Sequence, residues 1–415
     1  MALMLWQGVG DKDRASEHHR MALEILEKEP ESVELASLYE DISHMLWRTG
    51  EHAEALSWAQ KAFELAERLG DPTVLAACYN DLGTLSLKSG ELEKASKQYE
   101  QGLKIALENN VVVGALTLYN NLVEFYWSIG EFQKVFETAQ KGSEFARKVG
   151  GIYSIPWIDI QLASSYAFMG DTQRALSILE ETLALDKRIR NVTHISYVLG
   201  ILGEGYRWLG EWDKSLRCLM EARDMAKKVG EYQASGNAAS FLGELFMEME
   251  DYAEAEKYFD ESNSIFEKAG ETHTQLTSTF PGLSKLYLKK GEIEKAKELI
   301  EKTYEYTTKT SNKFDVAYAE MLKAMLFREQ KDWEQSIQHF EKSLEEYKSL
   351  NAQKWYVYQF AELLYEYGSM YLERDKEGDK EKAHSLLGQA LTICQRMDAK
   401  KKIERILAKK KLLQA

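Results

Sequence analysis

A short frame returns about every forty residues along this chain, and that period limits the fold more than any other feature of the sequence. Its turn position reads Gly10, Gly50, Gly90, Gly130, Gly170, Gly210, Glu250, Gly291 and Lys331. Five residues later a small side chain follows: Ala15, Ala55, Ala95, then Val135 as an exception, Ala175, Ser215, Ala255, Ala296, Ser336 and, after an insertion at 375–380, Ala383. Seven residues further stand Ala22, Ala62, Gly102, Gly142, Thr182, Ala222, Ser262, Thr303, Ser343 and Ala390. A fixed period of this size marks a stacked array, in which each unit buries its apolar face on its neighbours. The segment LGILGEGYRWLGEWDKSL, residues 199–216, shows the value of the frame. Alone, Gly203, Gly205 and Gly210 hint at a phosphate-cradling loop. The dinucleotide fingerprint requires a glycine where Trp208 stands, and a strand before it. These glycines therefore belong to the repeat.

Each period holds two amphipathic helical patterns. In TVLAACYNDLGTLSLKSG (73–90) and in ELEKASKQYEQGLKIALE (91–108) apolar residues recur at three and four. The turn between them suits a left-handed residue that ends the first helix, and the acid after it favours the start of the second. Gly70, Asn110, Gly150, Asn191, Gly230, Gly270, Asn312 and Asn351 read as a second set of left-handed stops. The small positions on the second helix let it approach the first closely. The expected fold is all-α: nine helix pairs over 31–398, after a partial leading repeat at 1–30 and before a capping helix at 399–415. The pairs fall at 31–70, 71–110, 111–150, 151–190, 191–230, 231–270, 271–311, 312–351 and 352–398.

Composition narrows the function. Charged residues form 29% of the 415, hydrophobic residues 44%, and only four prolines interrupt the helices. A formal net charge of −14 argues against general nucleic-acid affinity, which needs a basic surface. No apolar run reaches membrane-spanning length, so no membrane partner is expected. Cys78, Cys218 and Cys394 lie far apart without metal spacing, and MALMLWQGVGDKD lacks the basic region of a signal peptide. The expected location is cytoplasmic.

The frame resembles the tetratricopeptide repeat, with L-G-x-x-Y, a turn glycine and a small residue. The best copies are LGEGYRWLGEWDKS (202–215) and YGSMYLERD (367–375). The unit is longer than the usual one of about 34 residues. It looks like the long-repeat branch found in bacterial peptide-pheromone receptors and in the sensor regions of signalling ATPases. The resemblance implies a right-handed superhelical solenoid whose first helices line a concave groove. One groove column then reads Glu40, Asn80, Asn120, Ile160, Gly200, Ser240, Pro281, Met321 and Tyr365. Three residues earlier stand Ser37, Ala77, Thr117, Trp157, Tyr197, Asn237, Ser278, Tyr318 and Glu362. Four residues after the first column stand His44, Thr84, Glu124, Ser164, Glu204, Glu244, Lys285, Met325 and Ser369.

On these columns the expected binding residues for a protein or peptide are Asn80, Asn120, Asn121, Glu124, Trp157, Tyr197, Glu204, Asn237 and Glu244. Asparagine amides at Asn80 and Asn120, with Asn121 alongside, can hold an extended peptide backbone. Trp157 and Tyr197 can take an apolar side chain, and Glu124, Glu204 and Glu244 a basic one. The plainer alternative is that the asparagines bridge neighbouring helices and the aromatics pack. The clamp with which chaperone-binding arrays of this family hold a peptide's terminal carboxylate needs cations that these positions lack.

No catalytic constellation accompanies the array. H-E-x-x-H, C-x-x-C, G-x-S-x-G and the phosphate loop are all missing, and no histidine has a second histidine four residues away. No enzyme activity, cofactor or metal is expected. The function expected is that of a non-catalytic protein- or peptide-binding scaffold using the concave groove; the alternative is the ligand-sensing C-terminal region of a larger signalling ATPase or transcriptional regulator. Near the start, Met4, Leu5 and Trp6 belong to a repeat lacking most of its first helix, which suggests a longer N-terminal region or self-association there. At the other end, Ile403, Ile406, Leu407 and Leu413 are expected to cover the last repeat, with Lys400–Lys402 and Lys409–Lys411 left in water.

Overall fold

Each repeat folds as two helices because a left-handed residue stops the first and its carbonyls are satisfied from the turn. Gly210 has φ +79, and its N–H and that of Glu211 close back onto Arg207 and Tyr206. The computed structural model describes residues 12–310, 312–351 and 354–412, and these are all-α, with no strand among them. Met4, Leu5, Trp6 and Leu413 lie outside the described residues.

Two compact units divide the chain, 1–158 and 159–415. The first contains α1 (Lys12–Leu26), α2 (Val33–Arg48), α3 (His52–Leu69), α4 (Pro72–Lys88), α5 (Leu92–Glu108), α6 (Val112–Ser128) and α7 (Phe132–Val149). Helix α8 (Ile155–Phe168) begins at the division. The second unit continues with α9 (Thr172–Ile189), α10 (Val192–Leu209), α11 (Trp212–Val229), α12 (Tyr232–Glu248) and α13 (Tyr252–Ala269). After a short turn come α14 (Phe280–Lys290), α15 (Ile293–Thr310), α16 (Lys313–Glu329), α17 (Trp333–Ser349), α18 (Val357–Arg374), α19 (Asp379–Arg396) and α20 (Lys400–Leu412). Within each unit successive helices pack on one another, as in a helical-repeat solenoid.

The small columns lie at the helix contacts. Ala15, Ala55, Ala95, Ser215, Ala255 and Ala296 are completely buried. A methyl group on Gly102 would stand 2.9 Å from Tyr79 Cβ and 3.2 Å from Leu118 Cδ2, so its absence lets α5 touch both α4 and α6. Gly203 has the same role between α10 and α11, where a methyl would meet Leu219 Cγ at 2.5 Å. Ala175 is 2% exposed. Ala175→Leu is therefore expected to overpack its site and cost about 1–3 kcal/mol. A urea melt unchanged from wild type would reject this register.

Two expectations about the stops need correction. Asn191 and Asn312 are not left-handed: their φ values are −82 and −70, and each caps the following helix. The Asn191 side chain accepts from the His194 N–H, and Asn312 accepts from those of Phe314 and Asp315. An asparagine placed one residue before a helix satisfies otherwise orphaned donors, so that use prevails. Arg190 takes the left-handed position instead, with φ 58.

Before the insertion at 375–380 the frame also slips by one residue. From Glu250 to Gly291 the spacing is one residue longer than elsewhere. The extra residue is absorbed in a π-helical turn, Gln275–Thr279, just before Pro281. Pro281 offers no N–H to the helix ladder, which lowers the cost of the wider turn there.

The second unit closes on itself. Trp208 of α10 stacks on Tyr358 of α18 with ring centres 4.7 Å apart. Phe168 meets Tyr356 edge-on at 4.9 Å. Helix α20 covers the last repeat through buried Ile406 and half-buried Ile403, and its Arg405 donates to the Glu248 carbonyl of α12. This corrects the expected solvent face of α20. Leu407 is exposed, whereas Lys401 lies over the Trp212 ring and Lys402 over Tyr358, at 5.5 and 3.9 Å. Closure brings the Trp212 ring of α11 to the helix, while Tyr358 comes from α18 of the capped repeat itself.

Candidate functional site

First helices build the inner wall of the C-terminal unit, and their polar column residues meet across it. Together with α20 they line a half-open cavity of about 690 Å³, with side chains from α10, α12, α14, α16 and α18. This volume falls in the range of roughly 300–1,000 Å³ usual for small-ligand sites. The apolar part of the lining comes from Phe241, Met247, Pro281, Phe314, Met325 and Ile406.

Buried charges dominate the polar part. Lys285 of α14 is 6% exposed, and its Nζ lies 3.0 Å from Glu244 of α12 and 3.4 Å from Glu362 of α18. It also faces the Tyr318 ring at 5.7 Å. Burial alone would push the Glu362 carboxyl up; Lys285, Lys402 and Arg207 outweigh it and bring it down to about 2. Burial would likewise discharge Lys285, and its two carboxylates instead hold the ammonium well above the usual lysine range. A second buried cation, Arg207 of α10, donates to Glu204 at 2.6 Å, to Glu248, and to the Tyr358 hydroxyl at 3.3 Å. Glu204 also accepts from Trp208 Nε1 at 2.7 Å. The two clusters thus fix helices of this unit in one arrangement before any ligand arrives. Within the π-helical turn, Ser278 meets Ser240 of α12 at 3.2 Å, leaving small hydroxyls on that side of the cavity.

The expected binding residues are distributed over both units. Glu204 and Glu244 line the cavity, each already paired with a buried cation. Asn237 is half-buried on α12 and is not part of the lining. Tyr197 donates from its hydroxyl to Glu231 at the turn before α12, at 3.1 Å. The other five lie in the N-terminal unit. Asn121 Nδ2 donates to Asn80 Oδ1 at 2.6 Å, bridging α6 and α4, so the pair that forms is Asn80 with Asn121, not Asn80 with Asn120. Asn80 is 7% exposed, Asn120 is half-buried, and Glu124 and Trp157 are exposed. Arg207, Glu248, Tyr358, Lys402 and Arg405 escaped the sequence reading because they stand off the groove columns.

Family models described as tetratricopeptide repeat match residues 33–108 and 234–309, 160–192, and 318–349, together more than half of the chain. No curated protein matches the sequence. Among solved structures, a Rap protein complexed with competence and sporulation factor is 15% identical, with a TM-score of 0.65, over 88% of this chain and 99% of that one. The apo quorum sensor NprR from B. thuringiensis is 14% identical, with a TM-score of 0.60, over 83% and 95%. A signal-transduction ATPase with a tetratricopeptide repeat sensor, from Pyrococcus horikoshii, is 17% identical, with a TM-score of 0.50, over 78% of this chain and 49% of that one. At these identities the likeness is one of fold. The recurring frame, the buried small columns and the matched segments agree, and the chain belongs to the tetratricopeptide repeat family.

Proposed function

We propose that this protein is a non-catalytic binding module whose C-terminal cavity receives a short peptide, or a peptide segment of a partner protein, in the cytoplasm. The observation that carries this reading is the half-open, pre-arranged cavity, with buried acids and bases of both signs beside apolar side chains. A peptide presents both charged termini or side chains and apolar groups, so such a lining suits it better than it suits a uniformly charged ligand. Support also comes from the solved structures of similar fold, one of them complexed with a named factor and another named as a quorum sensor. The same cavity serves the second reading, a sensor region of a larger signalling protein, which the likeness to about half of the signal-transduction ATPase favours.

The test is a screen of short synthetic peptides against the full chain by fluorescence anisotropy, followed by variants. Ser278→Trp fills the cavity from the π-helical turn, and is expected to weaken captured peptides at least tenfold while the helical circular dichroism is kept. Asn120→Ala with Trp157→Ala is expected to leave them bound. Loss in the second variant alone would move the site to the N-terminal unit. If no peptide binds, or all bind the plugged protein equally, the proposal fails.

A further inference from the structure

The inner column of the N-terminal unit holds a polar cluster that the peptide-binding reading does not use. Glu40 and His44 lie four residues apart on one face of α2, and Asp81 comes from α4 of the next repeat. One ligand atom from each of the three falls within 4.8 Å of the others. His44 Nδ1 stands 3.3 Å from Asp81 Oδ1. Bonds of about 2.0–2.1 Å in a tetrahedral zinc site place neighbouring ligand atoms roughly 3.3–3.4 Å apart, so this pair already has the edge length required.

The following repeat carries different residues at the equivalent positions. Where Glu40, His44 and Asp81 meet, the next repeat brings Asn80, Thr84 and Asn121. There the contact is complete and neutral: Asn121 donates to Asn80, and Thr84 is bonded to the Asn80 carbonyl and to Tyr99. The first contact replaces this bridge with two carboxylates and an imidazole. Asp81 is completely buried, and its Oδ2 has no hydrogen-bond partner. Asp81 Oδ1 faces His44 Nδ1 and accepts from Asn80 Nδ2 at 3.4 Å, Trp47 Nε1 donates to His44 Nδ1 at 3.4 Å, and among the described residues neither Glu40 nor Asp81 has an ion pair with a lysine or arginine. A buried carboxylate oxygen without a donor is costly. Joining two repeats does not demand it, because the asparagine pair does that work one repeat later. Glu40 and His44 are only half-buried, which leaves a route for an ion from solvent.

We propose that Glu40, His44 and Asp81 form a binding site for a divalent first-row transition ion, with zinc as the best fit to one imidazole and two carboxylates. The two carboxylates balance the ion's charge, and the free Asp81 Oδ2 gains a partner. Water completes a four-coordinate shell in the manner of open zinc sites. The ion would tie the first helices of adjacent repeats together. The signal in the sequence is an acid and a histidine at i, i+4, which a search for paired histidines passes over.

The experiment uses the metal alone on the full chain. Zinc titration of chelator-stripped protein, read by competition with a chromophoric chelator, is expected to show one site that raises the melting temperature. Cobalt in its place is expected to give visible d–d absorption. Asp81→Asn copies the neutral residue at Asn121 and is expected to keep the helical circular dichroism while weakening zinc at least tenfold. His44→Gln provides an independent variant that retains a polar side chain. Zinc affinity and cobalt absorption equal to wild type in both variants would overturn the site, as would wild type that takes up no more zinc than the Glu40→Gln, His44→Gln, Asp81→Asn triple variant.

Discussion

Replacing Lys285 with methionine will destabilise the C-terminal unit by about 3–5 kcal/mol, because it leaves two largely shielded carboxylates without the cation they share. Glu244 and Glu362 both touch the Lys285 ammonium, which is 6% exposed, and neither has another partner as close. The cost should fall mostly on the abandoned carboxylates. Lys285→Met with Glu244→Gln and Glu362→Gln is therefore expected to recover much of the loss in urea melts. A triple variant as unstable as the single one would mean that the lysine matters for its packing and not its charge. The same cluster sets an acid limit. The Glu362 carboxyl is depressed from 4.5 to about 2, so its contribution is complete above about 4.5 and is lost as the pH falls through the folded value. At 1.36 kcal/mol per unit that contribution is at most roughly 3 kcal/mol. Between pH 4.5 and 2, Glu362→Gln should lose less stability than wild type does. Equal slopes in that window would place the acid sensitivity elsewhere.

Trp208→Ala is the second large effect expected, at about 3–5 kcal/mol, the usual range for removing a buried large aromatic. The indole is 7% exposed, stacks on Tyr358 and donates to Glu204. Its loss removes the ring stack that, beside the Arg207–Tyr358 hydrogen bond, joins α10 to α18, so the effect should extend beyond the cavity it leaves. Native-state hydrogen exchange is expected to speed up across α18 and α20, far along the sequence from the substitution. A cost below about 1 kcal/mol, with exchange unchanged in those helices, would show that closure does not depend on this stack.

Much of this could be read in the sequence, and the part that could not has a physical cause. Small residues such as Ala95 and Gly102 announce helix contacts because nothing larger fits, and left-handed stops announce turns because few residues tolerate them. The columns drawn through the first helices contain Glu204, Glu244, Lys285, Tyr318 and Glu362, all of which line the cavity. What the columns could not give is who faces whom. Lys285 meets Glu362 across 77 positions, and Arg207 meets Tyr358 across 151. Such encounters depend on the rotation accumulated over many repeats, and no single repeat encodes that sum. Asn80 shows a smaller version of the same limit. Its side chain can hold a peptide or bridge to the next helix, and only the geometry tells that Asn121 is already bonded to it. The frame slip after Glu250 was visible as a number, but its outcome as a π-helical turn beside Pro281 was not.

The stack of Trp208 on Tyr358 has a consequence for how such a protein can change its length. An open solenoid is an additive object: a copy inserted or removed in its middle shifts the later repeats by one step, and every interface stays of the nearest-neighbour kind. The segment between Trp208 and Tyr358 has lost that freedom, since its two ends must arrive at the same place. One unit more or fewer would carry α18 past α10. Duplication and deletion, the ordinary route by which repeat arrays grow and shrink, are closed to this stretch, and it changes by substitution or by slips as small as the one at Gln275–Thr279.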